Sequence, residues 1–293
     1  MAKLIDYSKK PLKVCKSYEQ FKYSLRSLQD KNLLFNNIIV NTKNKRIVGY
    51  VDSGTWYIEI NIPPEVKGAE PVFCRDVRAY QVKLICHNKN FDTSHMFTSC
   101  ERLLNIDMSE CDFKCIGKYM FYGCVNLMQI ELPSGVSKIG EHAFERCRKL
   151  VSLYIPDSIM TIGNSAFAHC DRLDFVRLPR FLKVLETAVF SKCINLRNIQ
   201  IPEGLEEFGH RVFYSCFRLQ TVLIPTTVKA IYYDAFERCY ALKIVFPNNK
   251  GVFTVDEFDT IRSDLIKGYR IYTLRTFEDY KTEEKLQRRK IDL

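Results

Sequence analysis

From residue 94 onward the apolar positions return on a fixed beat. Cysteine stands at 100, 124, 147, 170, 193, 216 and 239, spaced by 24 and then five times by 23 residues. Phenylalanine precedes each by three, at Phe97, Phe121, Phe144, Phe167, Phe190, Phe213 and Phe236. Leucine follows each by three, from Leu103 and Leu127 through Leu150, Leu173, Leu196 and Leu219 to Leu242, so seven copies are recognisable. Six and eight residues after the cysteine come two more apolar positions, as in Ile130 and Leu132, Leu153 and Ile155, Val176 and Leu178, Ile199 and Ile201, Val222 and Ile224. A spacing of two predicts a short strand. Proline follows at Pro133, Pro156, Pro179, Pro202 and Pro225. Having no amide hydrogen for a ladder, it marks the strand's end and a turn. Two further apolar ladders run through Val136, Ile159, Leu182, Leu205, Val228 and through Ile139, Ile162, Leu185, Phe208, Ile231, with Gly140, Gly163 and Gly209 beside the second.

A 23-residue coil cannot bury seven apolar side chains by itself, so neighbouring coils must stack and share them. Coils joined by a parallel ladder lie about 4.8 Å apart, and seven would make a body roughly 35 Å long with one continuous core. The recurring Leu-x-x-Leu-x-Ile-Pro-x-x-Ile-x-x-Ile-Gly-x-x-Ala-Phe-x-x-Cys, read from Leu150 to Cys170, resembles the BspA-like leucine-rich repeat family. The resemblance covers residues 94 to 247 closely. Ile58 to Pro63 and Phe73-Cys74 look like a degenerate first coil, and Val245-Phe246-Pro247 has slipped by one residue. It implies a curved recognition solenoid, of a kind discussed for bacterial and protist surface adhesion and present also in proteins without export signals. The expected fold is thus an α/β leucine-rich repeat solenoid of about seven to eight coils with a parallel strand ladder and an α/β cap at each end.

Residues 1–57 do not repeat and are expected to form the N-terminal cap, 58–247 the solenoid and 248–293 the C-terminal cap. In the first cap, Ser17 is placed to cap a helix sharing Phe21, Leu25 and Leu28 on one face. Leu33 to Val40 and Ile47 to Val51 are expected to pair as a hairpin across Asn41 to Lys45. In the last segment, Asp256 to Lys267 is read as a helix stopped at Gly268, Tyr269 to Leu274 as a strand, and Phe277 to Lys290 as a charged terminal helix.

Composition adds limits. The 293 residues are 46% hydrophobic and 27% charged, with 12 Gly and 10 Pro, the balance of a chain that buries a core. No apolar run reaches the roughly 18 to 20 residues of a membrane-spanning helix. No signal peptide is visible at the start and no Asn carries the glycosylation pattern, so the expected compartment is intracellular and cytoplasmic. There the cysteines are expected as buried reduced thiols, although stacking leaves a disulfide open. A metal is considered only around Cys86, His87, His95, Cys100, Cys111 and Cys115, whose spacing matches no zinc module. No phosphate loop, zinc-helix motif or nucleophile turn occurs, and His142, His169 and His210 occupy different places in their repeats. Neither enzymatic activity nor a cofactor is expected.

The net charge is +10, and residues 1–90 hold 16 Lys+Arg against 8 Asp+Glu while the rest is nearly balanced. Lys9, Lys10, Lys13, Lys16, Lys22, Lys43, Lys45 and Arg46 form a candidate site for an acidic partner, or simply a solvated face. Arg146, Arg148, Lys149, Arg172, Lys192, Arg218 and Arg238 line the cysteine edge. A solenoid recognises partners with positions its core leaves unused. Here these are the two stripes alternating with the strand ladder: Asp107, Glu131, Tyr154, Arg177, Gln200 and Leu223, and one turn of the pleat earlier Asn105, Gln129, Ser152, Phe175, Asn198 and Thr221. Glu131, Tyr154, Phe175, Arg177, Gln200 and Leu223 are the candidate partner-binding residues, with Tyr154, Phe175 and Arg177 at the centre because aromatics and Arg are common anchors. The expected function is non-catalytic protein–protein recognition or scaffolding. Two alternatives stay open: a structural component of a large cytoskeletal or viral assembly docked on an acidic lattice, and nucleic-acid binding through the basic N-terminal region.

Overall fold

The computed structural model describes residues 12–27, 32–51, 55–73, 79–247, 251–260 and 270–272. Each coil of the repeat contributes to three sides. On the front, the strands Tyr57–Ile62, Gln81–Cys86, Asn105–Asp107 and Gln129–Glu131 make one parallel sheet. A second holds Phe175–Arg177, Asn198–Gln200, Thr221–Leu223 and Lys243–Phe246, and Gly251–Thr254 closes it antiparallel. Register follows the sequence period, so Ile106 lies beside Ile130 and Val176 beside Ile199.

The back carries shorter strands, among them Gly68–Ala69, Cys115–Ile116, Lys138–Ile139, Thr161–Ile162 and Val184–Leu185, paired the same way. Ile47, Ala69, Thr93, Ile116, Ile139, Ile162, Leu185, Phe208, Ile231 and Ile271 mark its successive turns, about ten in all rather than seven to eight. The repeated Phe-x-x-Cys undercounts because the outermost turns lack it. Arg46–Tyr50, a strand of the non-repeating N-terminal segment, pairs parallel with Gly68–Ala69, and Arg270–Tyr272 pairs with Ala230–Tyr232.

The third side is the corner around each Phe-x-x-Cys. There the amides two before, at and two after the phenylalanine donate to carbonyls of the next coil, as in Ser165 N to Thr187 O, Phe167 N to Val189 O and His169 N to Ser191 O at 2.8–2.9 Å. Aiming all three amides one way requires left-handed backbone between them: Ser165 has φ 54°, His169 59°, Ala188 57° and Lys192 59°, while Gly123 takes the slot in its own coil at 72°. A non-glycine residue in that region costs about 1–2 kcal/mol, which the interlocking hydrogen bonds offset.

Inside, the phenylalanines stack ring over ring. Centroids from Phe73 to Phe236 are 5.2–5.8 Å apart, and from Phe97 onward the planes lie within 10° of parallel. Tyr50 tilts at 49° over Phe73, and Phe258 meets Phe236 at 84°. The cysteines have a role that their apolar neighbours could not fill. Each thiol donates to the phenylalanine carbonyl of the preceding coil: Cys124 to Phe97, Cys147 to Phe121, Cys170 to Phe144, Cys193 to Phe167, Cys216 to Phe190 and Cys239 to Phe213, at 2.8–3.3 Å. A small side chain that packs as a hydrophobe yet carries a weak donor fits this place.

Two local expectations need correction. Leu33 to Val40 is not one strand: Asn36 and Asn37 take φ 45° and 62°, and the chain turns between Asn32–Phe35 and Ile38–Asn41 before the second hairpin turn to Arg46–Tyr50. Asn tolerates left-handed backbone well enough to make such a turn without glycine. The second correction concerns residues 151–156, which form no strand although Leu153 and Ile155 are buried. Hydrophobic alternation fixes which way side chains point, whereas ladder bonds also need the neighbouring coil at the right distance. The back ladder is interrupted one step later, between Thr161–Ile162 and Val184–Leu185. Glu186 stands there in the place of Gly140, Gly163 and Gly209, where a Cβ would come within 2.7 Å of the preceding coil's backbone. Tyr232 fills the same place and its strand still pairs, so a side chain there does not break the ladder by itself.

In the N-terminal segment the helix Tyr18–Ser27 begins at Ser17, whose Oγ accepts the Gln20 amide at 3.2 Å while Gln20 Oε1 accepts the Lys16 amide. Phe21 and Leu25 face inward; Leu28 lies outside the described residues. The helix Val255–Thr260 covers the start of the helix expected from Asp256, and the segments 261–269 and 273–293 lie outside the described residues.

Candidate recognition surface

The six front-face candidates all point outward, because each stands one residue from a buried ladder position. Glu131, Arg177 and Gln200 are exposed, Tyr154 is 73% exposed, Phe175 43% and Leu223 64%. Tyr154 lies on the strandless coil, between Gln129–Glu131 and Phe175–Arg177. There the surface is hollowed into a cleft of about 390 Å³ lined by Glu131, Leu132, Ser134, Tyr154, Pro156 and Asp157.

Arg177 reaches back to this coil. Its Nη2 meets Asp157 Oδ2 at 3.0 Å, and Asp157 Oδ1 accepts the Arg180 amide at 3.0 Å. The guanidinium, followed by that amide, holds the Asp157 carboxyl below the usual carboxylate range. Arg197 and Asp174 form a looser pair at 3.4 Å. Glu131 has no ion-pair partner among the described residues, so the cleft offers one free carboxylate beside an aromatic ring.

Two exposed apolar groups lie outside the predicted stripes. Met128 and Val151, one residue before Gln129 and Ser152 of the second stripe, are exposed at 43% and 45%. The alternation would not have found them, because it puts Met128 in phase with buried Ile130 and Val151 in phase with buried Leu153. Phe217 and Tyr240, at the residue after the cysteine, stack on the corner with centroids 6.3 Å apart and planes 1° from parallel.

The basic candidates divide. Lys9 and Lys10 lie outside the described residues. Lys13 lies on the strand Leu12–Val14 and Lys16 just before the helix, while Lys43 and Lys45 lie in the turn before Arg46–Tyr50. Arg46 is half buried: its Nη1 pairs with Asp92 Oδ2 at 2.8 Å and its Nη2 donates to the Ala69 carbonyl.

The residues considered for a metal have other work. Cys100 donates to Phe73 O, Cys111 to Leu84 O and Cys115 to Ile116 O, His87 pairs with Asp112 at 3.2 Å, and His95 stacks on Tyr119. Among the described residues no group of three or more metal-ligating side chains gathers, and no helix is long and apolar enough to cross a membrane.

Stacked short turns, parallel ladders and a buried ring column define a leucine-rich repeat solenoid. Residues 114–243 match the BspA type leucine rich repeat region in six copies, so this stretch of the chain is a BspA-type leucine-rich repeat array. Among solved structures it is similar to a leucine-rich repeat protein from Bacteroides ovatus, at 19% identity over 73% of this chain and 68% of that one, TM-score 0.45. The T. pallidum leucine rich repeat protein is 25% identical over 59% and 82%, TM-score 0.40. A leucine rich cell surface protein from Faecalibacterium prausnitzii is 17% identical over 83% and 98%, TM-score 0.35. A comparison with curated proteins gives no match.

Proposed function

We propose that this chain is a non-catalytic recognition or scaffold module that captures a protein partner on its front face. Tyr154, Phe175 and Arg177 make the centre of the contact, and Glu131, Gln200 and Leu223 its flanks. The observation that carries this reading is that Tyr154, 73% exposed, lines a cleft where the front sheet divides, while Met128, Val151 and Phe175 are exposed on the same and neighbouring coils. Scattered exposed apolar residues are ordinary; several together beside a concave site and an arginine have the composition of an interface anchor. Thiols engaged as hydrogen-bond donors throughout the core support a reducing, intracellular setting.

The test starts from a partner isolated on the full chain. Changing Tyr154→Ser, Phe175→Ser and Arg177→Ser together is expected to abolish capture while stability stays within about 0.5 kcal/mol for each exposed site. Undiminished capture by the folded variant places the contact elsewhere.

A further inference from the structure

The back of the solenoid carries a feature that the front-face reading does not use. Ladder pairing sets Lys45 beside Lys67, whose amide donates to the Lys45 carbonyl at 2.8 Å. Lys89 lies in the following turn, Lys114 just before Cys115–Ile116, and Lys138 beside Cys115 in the next strand. Four ladder steps separate the first from the last, roughly 19 Å at 4.8 Å per step. Lys67, Lys89, Lys114 and Lys138 are exposed and Lys45 is half buried, and no ion pair to any of the five occurs among the described residues.

Of the acids in this stretch, Asp92 pairs with Arg46, Glu65 accepts from the Tyr18 hydroxyl and Asp112 meets His87, while Glu70 is exposed just after Gly68–Ala69. The contrast with the same ladder further on is direct. Lys183 and Lys229 both close on Glu206, at 3.0 and 2.5 Å. The later ladder lysines Lys183 and Lys229 are thus ion-paired, whereas among the described residues the five early ones are not. Like charges gathered on successive turns repel one another, and an anionic chain laid along them removes that repulsion while gaining several contacts at once.

We infer that the row Lys45, Lys67, Lys89, Lys114 and Lys138 is a docking strip for an extended acidic protein segment, laid along the solenoid axis. Two observations favour a peptide over a nucleic acid. The open cations are all lysines, and the one arginine among them is spent on Asp92, so the strip lacks the planar fork that suits phosphate. The nearest aromatic column, His95, Tyr119 and His142, is stacked on itself at 5.0 and 4.6 Å, which leaves the Tyr119 faces covered against an incoming base.

The experiment titrates a fluorescent ten-residue oligoglutamate peptide into the full chain and follows anisotropy from about 50 to 300 mM salt, a range over which surface charge contacts weaken strongly. A single-stranded DNA oligomer of the same charge is titrated in parallel. Binding of the peptide is expected to weaken steeply with salt. The pair Lys67→Glu and Lys114→Glu is expected to weaken it by about tenfold or more at low salt with an unchanged melting temperature, a loss of roughly 1.4 kcal/mol. The front-face triple variant is expected to bind the peptide as the parent does, which separates this strip from the surface proposed above. Equal peptide affinity for parent and charge-reversed chain, or tighter binding of the oligonucleotide than of the peptide, overturns the assignment.

Discussion

The Phe-x-x-Cys corner and the two strand faces belong to the same coils, yet they are not held in the same way. At the corner, three amides cross each junction from the 95–99 turn to the 188–192 turn without a gap, the rings stack through the same coils, and each thiol adds another bond. The faces are interrupted, the front at 151–156 and the back between Ile162 and Val184. Continuity on one side is what permits divided sheets on the other two. The coil whose front strand is lost, and with it the cleft beside Tyr154, stays in line because its corner does not let go.

The comparison is broken most forcefully by alkali. Burial pushes the Cys86 thiol up to about 11 and holds Cys147, Cys170, Cys193 and Cys216 well above the ordinary thiol value. In the unfolded chain these groups ionise near pH 9, so the native state then binds more protons than the unfolded one. The stability they support is intact below pH 9 and is lost as pH rises through the folded values. Each thiol is expected to withdraw about 1.4 kcal/mol at pH 10, and denaturant midpoints measured between pH 8 and 10.5 should fall faster than any single substitution makes them. A flat profile would mean that the thiols are not buried together.

Next in size, Phe167→Ala removes a ring from the column and is expected to cost about 3–5 kcal/mol. Leu153→Ala, in the same coil but on the strandless front, is expected to cost nearer 2 kcal/mol, the low end for such a truncation, because its surroundings are free to close in. Equal losses in chemical denaturation would remove the distinction between corner and face. The smallest effect sharpens the corner itself. Lys192→Gly relieves a left-handed backbone strain of about 1–2 kcal/mol and gives part of it back through a freer unfolded chain, for a net gain of about 0.5 kcal/mol. The reverse change, Gly123→Ala, is expected to lose about 1 kcal/mol, both read from urea midpoints.

Much of this was legible beforehand, for a physical reason. Stacked coils place equal positions over one another, so the beat of Phe, Cys and Leu in the chain is the column seen end on, and the outward placement of Tyr154 and Phe175 follows from Leu153 and Val176 facing inward. What the beat did not show depends on fit between turns. The missing strand at 151–156, the use of Arg46 against Asp92 and the additional turns at both ends rest on residues that share no repeated signature. The thiol bonds were hidden for another reason: a buried cysteine looks like any small hydrophobe until the carbonyl it meets is known.

The rings that finish the column set a rule for how such a molecule grows. Tyr50 lies askew over the first phenylalanine and Phe258 stands edge-on against the last, so neither terminus offers a flat ring for another to copy. A duplicated 23-residue unit spliced into the middle would find matching neighbours above and below and lengthen the molecule by about 4.8 Å. The same unit added at either extremity would meet a surface of the wrong shape, which makes the interior of the array, and not its tips, the place where length is negotiable.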